Sequence, residues 1–159
     1  MSSYFRSARN AALVLVVAAV GLLSGGEAAE AQGVEKTVFE KITGTQLRRM
    51  MVDEGYSVEV DEDGDIRWKL DGLKTLILIS KNRESIQFHI AFSDGNASLR
   101  KVNEWNKSKK FSRTYLDDKE HPHLELDLDL EGGVTEERIQ SFLRTCKTSM
   151  SVWLDEVVR

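Results

Sequence analysis

The feature that most constrains the fold is a strict alternation of leucine with acidic residues in the last third of the chain. Leucine occupies every second position from Leu124 to Leu130, and Glu or Asp fills the positions between and after them up to Glu131. Because successive side chains of a strand point to opposite faces of a sheet, this pattern predicts a strand with one buried face. The chain must therefore supply a layer that covers the leucines.

The covering layer is predicted to include the helix that follows. Gly132 and Gly133 turn the chain, and Thr135 provides a side-chain oxygen that caps a helix N-terminus. Apolar residues then recur at spacings of three and four, which is typical of a helix that packs along its whole length. They are Ile139, Phe142, Leu143, Cys146, Met150, Trp153, Leu154 and Val157. Cys146 is the only cysteine of the chain, and its place in this stripe favours a buried structural thiol over a reactive one.

The chain between residues 43 and 92 shows the signals of one helix and four strands. Thr43 and Gln46 have the spacing of a capping box, which predicts a helix that ends at Gly55. The alternating segments that follow are joined by turns too short for a crossover connection, so we expect an antiparallel meander. The turn signals lie at residues 63–64, 71–72 and 81–83.

A second helix over about residues 97–109 and a fifth strand over 111–116 complete the pattern. The predicted order is helix, four strands, helix, two strands, helix, or α-ββββ-α-ββ-α. This order indicates an α+β two-layer sandwich, in which the helices pack on an antiparallel sheet.

The first 31 residues are predicted to be a cleaved secretory signal peptide. Arg6 and Arg9 precede a short apolar run, and an Ala-x-Ala cleavage site ends at Ala31. An uncleaved membrane anchor is the alternative, but the run is shorter than the roughly 20 residues that a spanning helix needs. We therefore expect a periplasmic protein that is not in the membrane after cleavage, with a lead-in segment at 32–42 and a single domain at 43–159.

Charge and motifs narrow the class of function. A formal charge of −4 argues against nucleic acid as the main partner. The sequence contains no Gly-rich phosphate loop, nucleophile elbow, Cys-x-x-Cys pair or His-Glu-x-x-His motif. We therefore expect a protein that is not an enzyme and that needs no cofactor.

Two acidic segments suggest cation binding, but each has a simpler interpretation. In the run from Asp61 to Asp65, a calcium loop would need glycine sixth and glutamate twelfth, where Ile66 and Gly72 stand, so a hairpin turn is favoured. In the alternating strand, carboxylates two residues apart are separated by about 7 Å, too far for two of them to chelate one ion. A solvated strand face is favoured there. If the strand is central, Arg113, Lys109 and Lys110 are candidates to oppose the carboxylates.

The three histidines do not predict a metal site. His121 and His123 flank a proline in a turn, and His89 belongs to a different strand. Zinc requires three or four converging ligands, and the sequence places only two of these histidines together.

A set of short motifs resembles the YbjN family of bacterial sensory transduction regulators. The motifs are Asn103-Glu104-Trp105-Asn106, Phe111, Thr114-Tyr115-Leu116-Asp117 and Gly132-Gly133-Val134, followed by the long final helix. The resemblance covers roughly residues 43–158. The family's fold is similar to that of type III secretion chaperones, small α+β proteins that dimerise and hold extended segments of partners. The resemblance thus implies a chaperone-like, homodimeric module that binds another polypeptide.

From the family pattern and this expected role, the candidate partner-binding residues are Asn103, Trp105, Asn106 and Tyr115. A structural role is favoured for the helix residues, because an Asn can satisfy backbone groups at the helix exit and Trp105 can belong to the core. The alternative function is a periplasmic sensor of a small ligand or metal. It would use a pocket between sheet and helices, lined by groups such as Trp68, Tyr115 or the histidines.

Overall fold

The structure is a computed structural model that describes residues 36–159. The predicted signal peptide and the start of the lead-in segment lie outside the described residues. The strands are β1 (Val38–Phe39), β2 (Val58–Val60), β3 (Ile66–Leu70), β4 (Leu73–Ile79), β5 (Ser85–Ala91), β6 (Arg113–Leu116), β7 (Pro122–Asp129) and β8 (Val134–Thr135). The helices are α1 (Gly44–Asp53), α2 (Leu99–Ser108) and α3 (Glu136–Trp153), which ends in a π-helical turn (Leu154–Val158).

Six of the strands form one antiparallel sheet in the order β2-β3-β4-β5-β7-β6. The α+β prediction is therefore confirmed, with β2 to β5 as the meander. The strand order reverses at the end of the sheet, because β7 lies between β5 and β6. The short strands β1 and β8 pair separately with each other. They were not predicted, since two residues are too few to show a period of two.

The hydrogen bonds expected at the start of α1 are present. The Thr43 hydroxyl accepts from the backbone N–H of Gln46 at 3.2 Å, and the Gln46 side chain accepts from the Thr43 N–H at 2.9 Å. Gly55 follows the helix with a φ of +85°, which a glycine adopts without strain.

The turns follow from their sequences. Asp71 and Gly72 both have positive φ, as a two-residue type I′ hairpin requires. The Asp61 carboxylate accepts from the backbone N–H groups of Asp63 and Asp65, so it organises the next turn as the hairpin interpretation expects. The strand predicted to start at Phe111 begins two residues later, because Phe111 has a φ of +64°.

The hydrophobic core lies between the six-stranded sheet and the helices. Every member of the predicted α3 stripe is buried, and Cys146 is fully enclosed, which raises the pKa of its thiol. Trp68 packs edge-on against Phe88 and Tyr56, with ring centroids 6.0 and 4.8 Å away. None of the helices within residues 36–159 has the length and apolar character that crossing a membrane requires.

Candidate functional site

The six-stranded sheet carries helices on one side only. Even-numbered side chains of β3, β5 and β7, and odd-numbered ones of β4, point into the core. The opposite side, which we call the open face, carries the odd-numbered side chains of β3, β5, β6 and β7 and the even-numbered ones of β4. Except for Glu125, these side chains are exposed or half-buried. The open face is therefore a continuous surface of the sheet that no described helix covers.

The strand register aligns the open-face side chains in rows across the sheet. One row runs from Arg67 through Leu76, His89 and Glu125 to Arg113. In the neighbouring row, Lys69 stands opposite Lys74, and His123 stands between Ala91 and Tyr115. Basic groups thus lie on β3 and β4 at one side and, with Arg113, on β6 at the other, and the imidazoles of β5 and β7 and the carboxylates of β7 lie between them.

Two histidines from distant parts of the sequence meet at the centre of this face. The Nε2 atom of His89 lies 3.0 Å from Nδ1 of His123, so one ring donates its N–H to the other. Burial, together with the neighbouring His123, lowers the pKa of His89, although Glu125 acts in the opposite direction. The neutral form of His89 is therefore favoured in the folded protein.

Asp117 joins the remaining histidine to this cluster. Its Oδ2 atom lies 3.2 Å from His121 Nδ1 and 3.6 Å from His123 Nε2. The backbone N–H groups of His121 and Lys119 donate to its other oxygen, each at 2.8 Å. The bond from the His121 backbone is the main cause that lowers the pKa of Asp117, so this carboxylate is ionised while it shapes the β6–β7 turn.

Glu125 corrects the expectation of a solvated acidic face. The strand β7 is interior, flanked by β5 and β6, and only 6% of Glu125 is exposed. The Tyr115 hydroxyl donates to its Oε1 at 2.8 Å, and Arg113 forms an ion pair with its Oε2. Burial alone would raise the pKa of Glu125, but the bonds from Tyr115 and Arg113 outweigh that effect and lower it. Arg113 opposes the acidic strand, as expected for a central position, whereas Lys109 pairs with Glu156 instead.

Tyr115 is the predicted binding residue that lies on the open face. Its ring stacks on the imidazole of His123 with centroids 4.7 Å apart and planes 8° apart, and it remains 37% exposed. Burial and the bond to Glu125 raise the pKa of its hydroxyl, so it acts as a neutral donor. The ring is held in place from two sides and presents its remaining surface outwards.

The three candidate residues on α2 have different positions. Trp105 is buried in the core and donates from its indole nitrogen to Ser112 Oγ at 3.1 Å. Asn106 donates to the backbone carbonyl of Thr114 at 2.9 Å and accepts from the Thr114 N–H at 3.0 Å. Asn103 is exposed. The contacts of Trp105 and Asn106 are those of the structural role, and the structure does not place these two with Tyr115 on the open face.

The pocket expected for a sensor is not assembled from the predicted groups. Trp68 lies in the core, whereas Tyr115, His89 and His123 belong to the other side of the sheet. Within the part of the chain that the structure describes, no three His, Cys, Asp or Glu side chains converge as metal ligands. The sequence did not reveal that His89 and His123 meet. The one available signal was that His89 alternates with the core residues of its strand.

Comparison with known proteins identifies the architecture. Residues 43–158 match the family model described as "YbjN: Putative bacterial sensory transduction regulator", which confirms the resemblance seen in the motifs. The chain is similar to the crystal structure of YbjN from E. coli, with a TM-score of 0.60 and 21% identity over 73% of this chain and 90% of that one. No curated protein matches it.

Two structures of complexes share the fold at lower identity. A chain of the ExsC–ExsE complex has a TM-score of 0.55 and 16% identity, covering 74% of this chain and 97% of that one. A chain of the HopA1–SchA chaperone–effector complex has a TM-score of 0.52 and 11% identity, covering 70% and 91%. At these identities the similarity establishes the fold.

Proposed function

Because this chain belongs to the YbjN family, we propose that it is a non-enzymatic regulatory or chaperone-like module that binds another polypeptide on the open face of its sheet. The observation that carries this proposal is the open face itself. Its side chains are ordered by mutual contacts, such as the stack of Tyr115 on His123, yet no described element packs over them. A surface that is organised but uncovered is suited to a macromolecular partner.

The fold supports this choice of partner. A similar fold occurs in a structure described as a chaperone–effector complex and in the ExsC–ExsE complex, so it is compatible with holding a second protein. We further propose that the protein acts as a homodimer, as the resemblance to type III secretion chaperones implies.

The polar groups of the open face do not form the arrangement that nucleophilic catalysis requires. A catalytic histidine activates a hydroxyl or thiol within hydrogen-bond reach. In residues 36–159, the side chains of His89 and His123 contact each other, His123 also lies 3.6 Å from Asp117, and neither histidine accepts from a serine or threonine hydroxyl. The thiol of Cys146 is buried with a raised pKa, which makes it a poor nucleophile.

We place this activity in the periplasm. The support is the sequence of residues 1–31, with its basic start, short apolar run and Ala-x-Ala site. In this proposal the protein is exported, loses the signal peptide, and meets its partner in the bacterial envelope.

Native mass spectrometry of the protein recovered from the periplasm of its own host tests the proposal. The expected species is a protomer or homodimer that lacks residues 1–31 and carries a second polypeptide in a defined stoichiometry. Tyr115→Ala, which removes the ring stacked on His123 from the open face, should carry less of that polypeptide, whereas Lys107→Gln on α2 should carry as much as the wild type. A Tyr115→Ala variant that carries the polypeptide in the wild-type amount, with its fold intact by circular dichroism, would count against the proposal.

The second candidate function is a metal sensor, which the contact between His89 and His123 favours. Two imidazole nitrogens 3.0 Å apart can begin a site for zinc or copper. Thermal unfolding with zinc, copper and nickel separates the two functions, because a metal that binds the native state raises the melting temperature. In a variant with His89, His121 and His123 replaced by Gln, the binding-module proposal expects each metal to change the melting temperature by the same amount as in the wild type.

A further inference from the structure

One end of the open face is a groove with a distinct charge. It has a volume of about 840 Å³ and is lined by the outer sides of β2, β3, β4 and β5. We call it the basic groove and define it by Arg67, Lys69, Lys74, Leu76 and His89. The whole chain has a formal charge of −4, so the positive charge of the basic groove is a local feature.

The two lysines of the basic groove face each other across two strands, an arrangement that lowers the stability of the sheet. Lys69 stands directly opposite Lys74 in the register, next to the β3–β4 turn. Like charges in such a cross-strand pair repel each other and destabilise the sheet. In the described part of the chain, neither lysine forms an ion pair, whereas Arg67 lies 3.7 Å from Asp61 Oδ2. The compensating negative charge for the lysines must therefore come from solvent ions or from a bound partner.

The surroundings of the lysines determine what kind of anion fits. Leu76 is half-buried beside Arg67 and His89, so an apolar surface lies one row away from the lysine pair. Glu59 faces Arg67 from the edge strand, and Glu125 limits the groove beyond His89. A partner that matches this surface needs carboxylates at the lysine row and an aliphatic side chain at Leu76.

We propose that the basic groove binds an acidic, extended segment of the partner polypeptide. An extended chain presents every second side chain to one face at a spacing of about 7 Å, so acidic and aliphatic side chains can reach neighbouring rows of the sheet. The Lys69 and Lys74 ammonium groups pair with the carboxylates, and Leu76 packs against the aliphatic groups. This inference rests on the proposed function and specifies the chemistry of the partner.

The test uses the full chain and a fluorescein-labelled peptide of about eight residues in which every second position is alternately Glu and Val, with Ser between them, so that both kinds of side chain face the sheet. Fluorescence anisotropy should show binding that weakens as salt is raised, because the contacts are partly screened ion pairs. The matched peptide in which Gln replaces each Glu should bind about tenfold more weakly. The double variant Lys69→Gln, Lys74→Gln should lose a similar factor for the Glu-Val peptide.

Lys107→Gln is the matched control, since Lys107 is an exposed lysine on α2 that pairs with Glu104 away from the groove. It should leave peptide binding unchanged. The inference is overturned if the double variant binds the Glu-Val peptide as the wild type does, or if pyrophosphate displaces the peptide at equal concentration. The inference is also overturned if the wild type dimerises in a concentration-dependent way and the double variant does not. That result would show that a second copy of the chain occupies the basic groove.

The failure of this inference is distinguishable from the failure of the proposed function. If the double variant is recovered from the periplasm with the same polypeptide as the wild type, the basic groove is not the docking site but the protein remains a binding module. If the wild type itself carries no polypeptide, the proposed function fails first.

Discussion

The indole N–H of Trp153 donates a hydrogen bond of 2.8 Å to the hydroxyl oxygen of Thr114, which joins α3 to the edge strand β6 inside the core. The same hydroxyl donates to the backbone carbonyl of His123 on β7. Both partners are buried, and every polar group in this chain of bonds has a partner. A threonine among aliphatic residues thus supplies the acceptor that a buried tryptophan needs.

Thr114→Val tests this relationship. The substitution keeps the shape of the side chain but removes the acceptor, so the buried indole N–H loses its partner. We expect the free energy of unfolding to fall by about 1–3 kcal/mol in urea denaturation. Thr148→Val is the control, because the Thr148 hydroxyl only bonds back to Arg144 on the exposed side of α3. Equal effects of the two substitutions would contradict this account.

Asn106→Ala tests the protection of the β6 edge. It removes the amide that occupies both the N–H and the carbonyl of Thr114, and it should lower the free energy of unfolding by about 1 kcal/mol. Because unpaired backbone groups at a sheet edge can pair with another chain, we also expect more self-association in sedimentation velocity. Asn103, an exposed residue of the same helix, is the comparison: Asn103→Ala should change stability by less than about 0.5 kcal/mol. If Asn106→Ala and Asn103→Ala had the same stability and the same self-association, α2 would protect the edge by packing alone.

The lowered pKa of His89 predicts that mild acid destabilises the protein. The unfolded chain protonates His89 near its ordinary pKa of 6.5, whereas burial and His123 keep the folded form neutral to lower pH. Between these two pKa values the unfolded chain binds more protons, so the free energy of unfolding falls as the pH decreases. Melting temperatures measured from about pH 7.5 downwards should therefore decline as the pH passes below 6.5.

His89→Gln should make this decline shallower, and His121→Gln should leave the His89 contribution intact. Glu125 and Asp117 also have lowered pKa values and remove further stability only at more acidic pH. Parallel melting curves for the wild type and His89→Gln across the window would refute the assignment.

Phe111→Asn should stabilise the protein. Phe111 has a φ of +64° and is 78% exposed, so it combines a strained backbone with little buried area. Asparagine tolerates the left-handed region better, and a gain of about 0.5–1 kcal/mol is expected from chemical denaturation. Phe111→Leu keeps a side chain that disfavours positive φ and should bring no gain. A destabilised asparagine variant would mean that the aromatic ring makes contacts that outweigh the strain.

The parts of the fold that the sequence predicted are those encoded by local signals. The capping box at Thr43, the turn at Asp71-Gly72 and the apolar stripe of α3 each depend on residues close together in the chain. The antiparallel meander followed from short connections in the same way.

The candidate site was only partly predictable, because it depends on which strands are neighbours. Alternation showed that Glu125 points away from Leu124 and Leu126, but it does not reveal whether a strand is interior. Only the insertion of β7 between β5 and β6 brings Glu125 to Arg113 and His123 to His89. His89 alternates with the core residues of its strand, which indicated the face of the sheet on which it lies but not that His123 lies next to it.

The hydrogen bonds of Asn106 also limit how far copies of this protein can polymerise. A sheet with two available edges can add molecules at both ends and grow into a fibre. Here the Asn106 side chain occupies backbone groups of the edge strand β6. The edge that stays available is therefore the three-residue strand β2 at the other end of the sheet. Joining two molecules through β2 consumes that edge in both, so growth by strand addition stops at a pair.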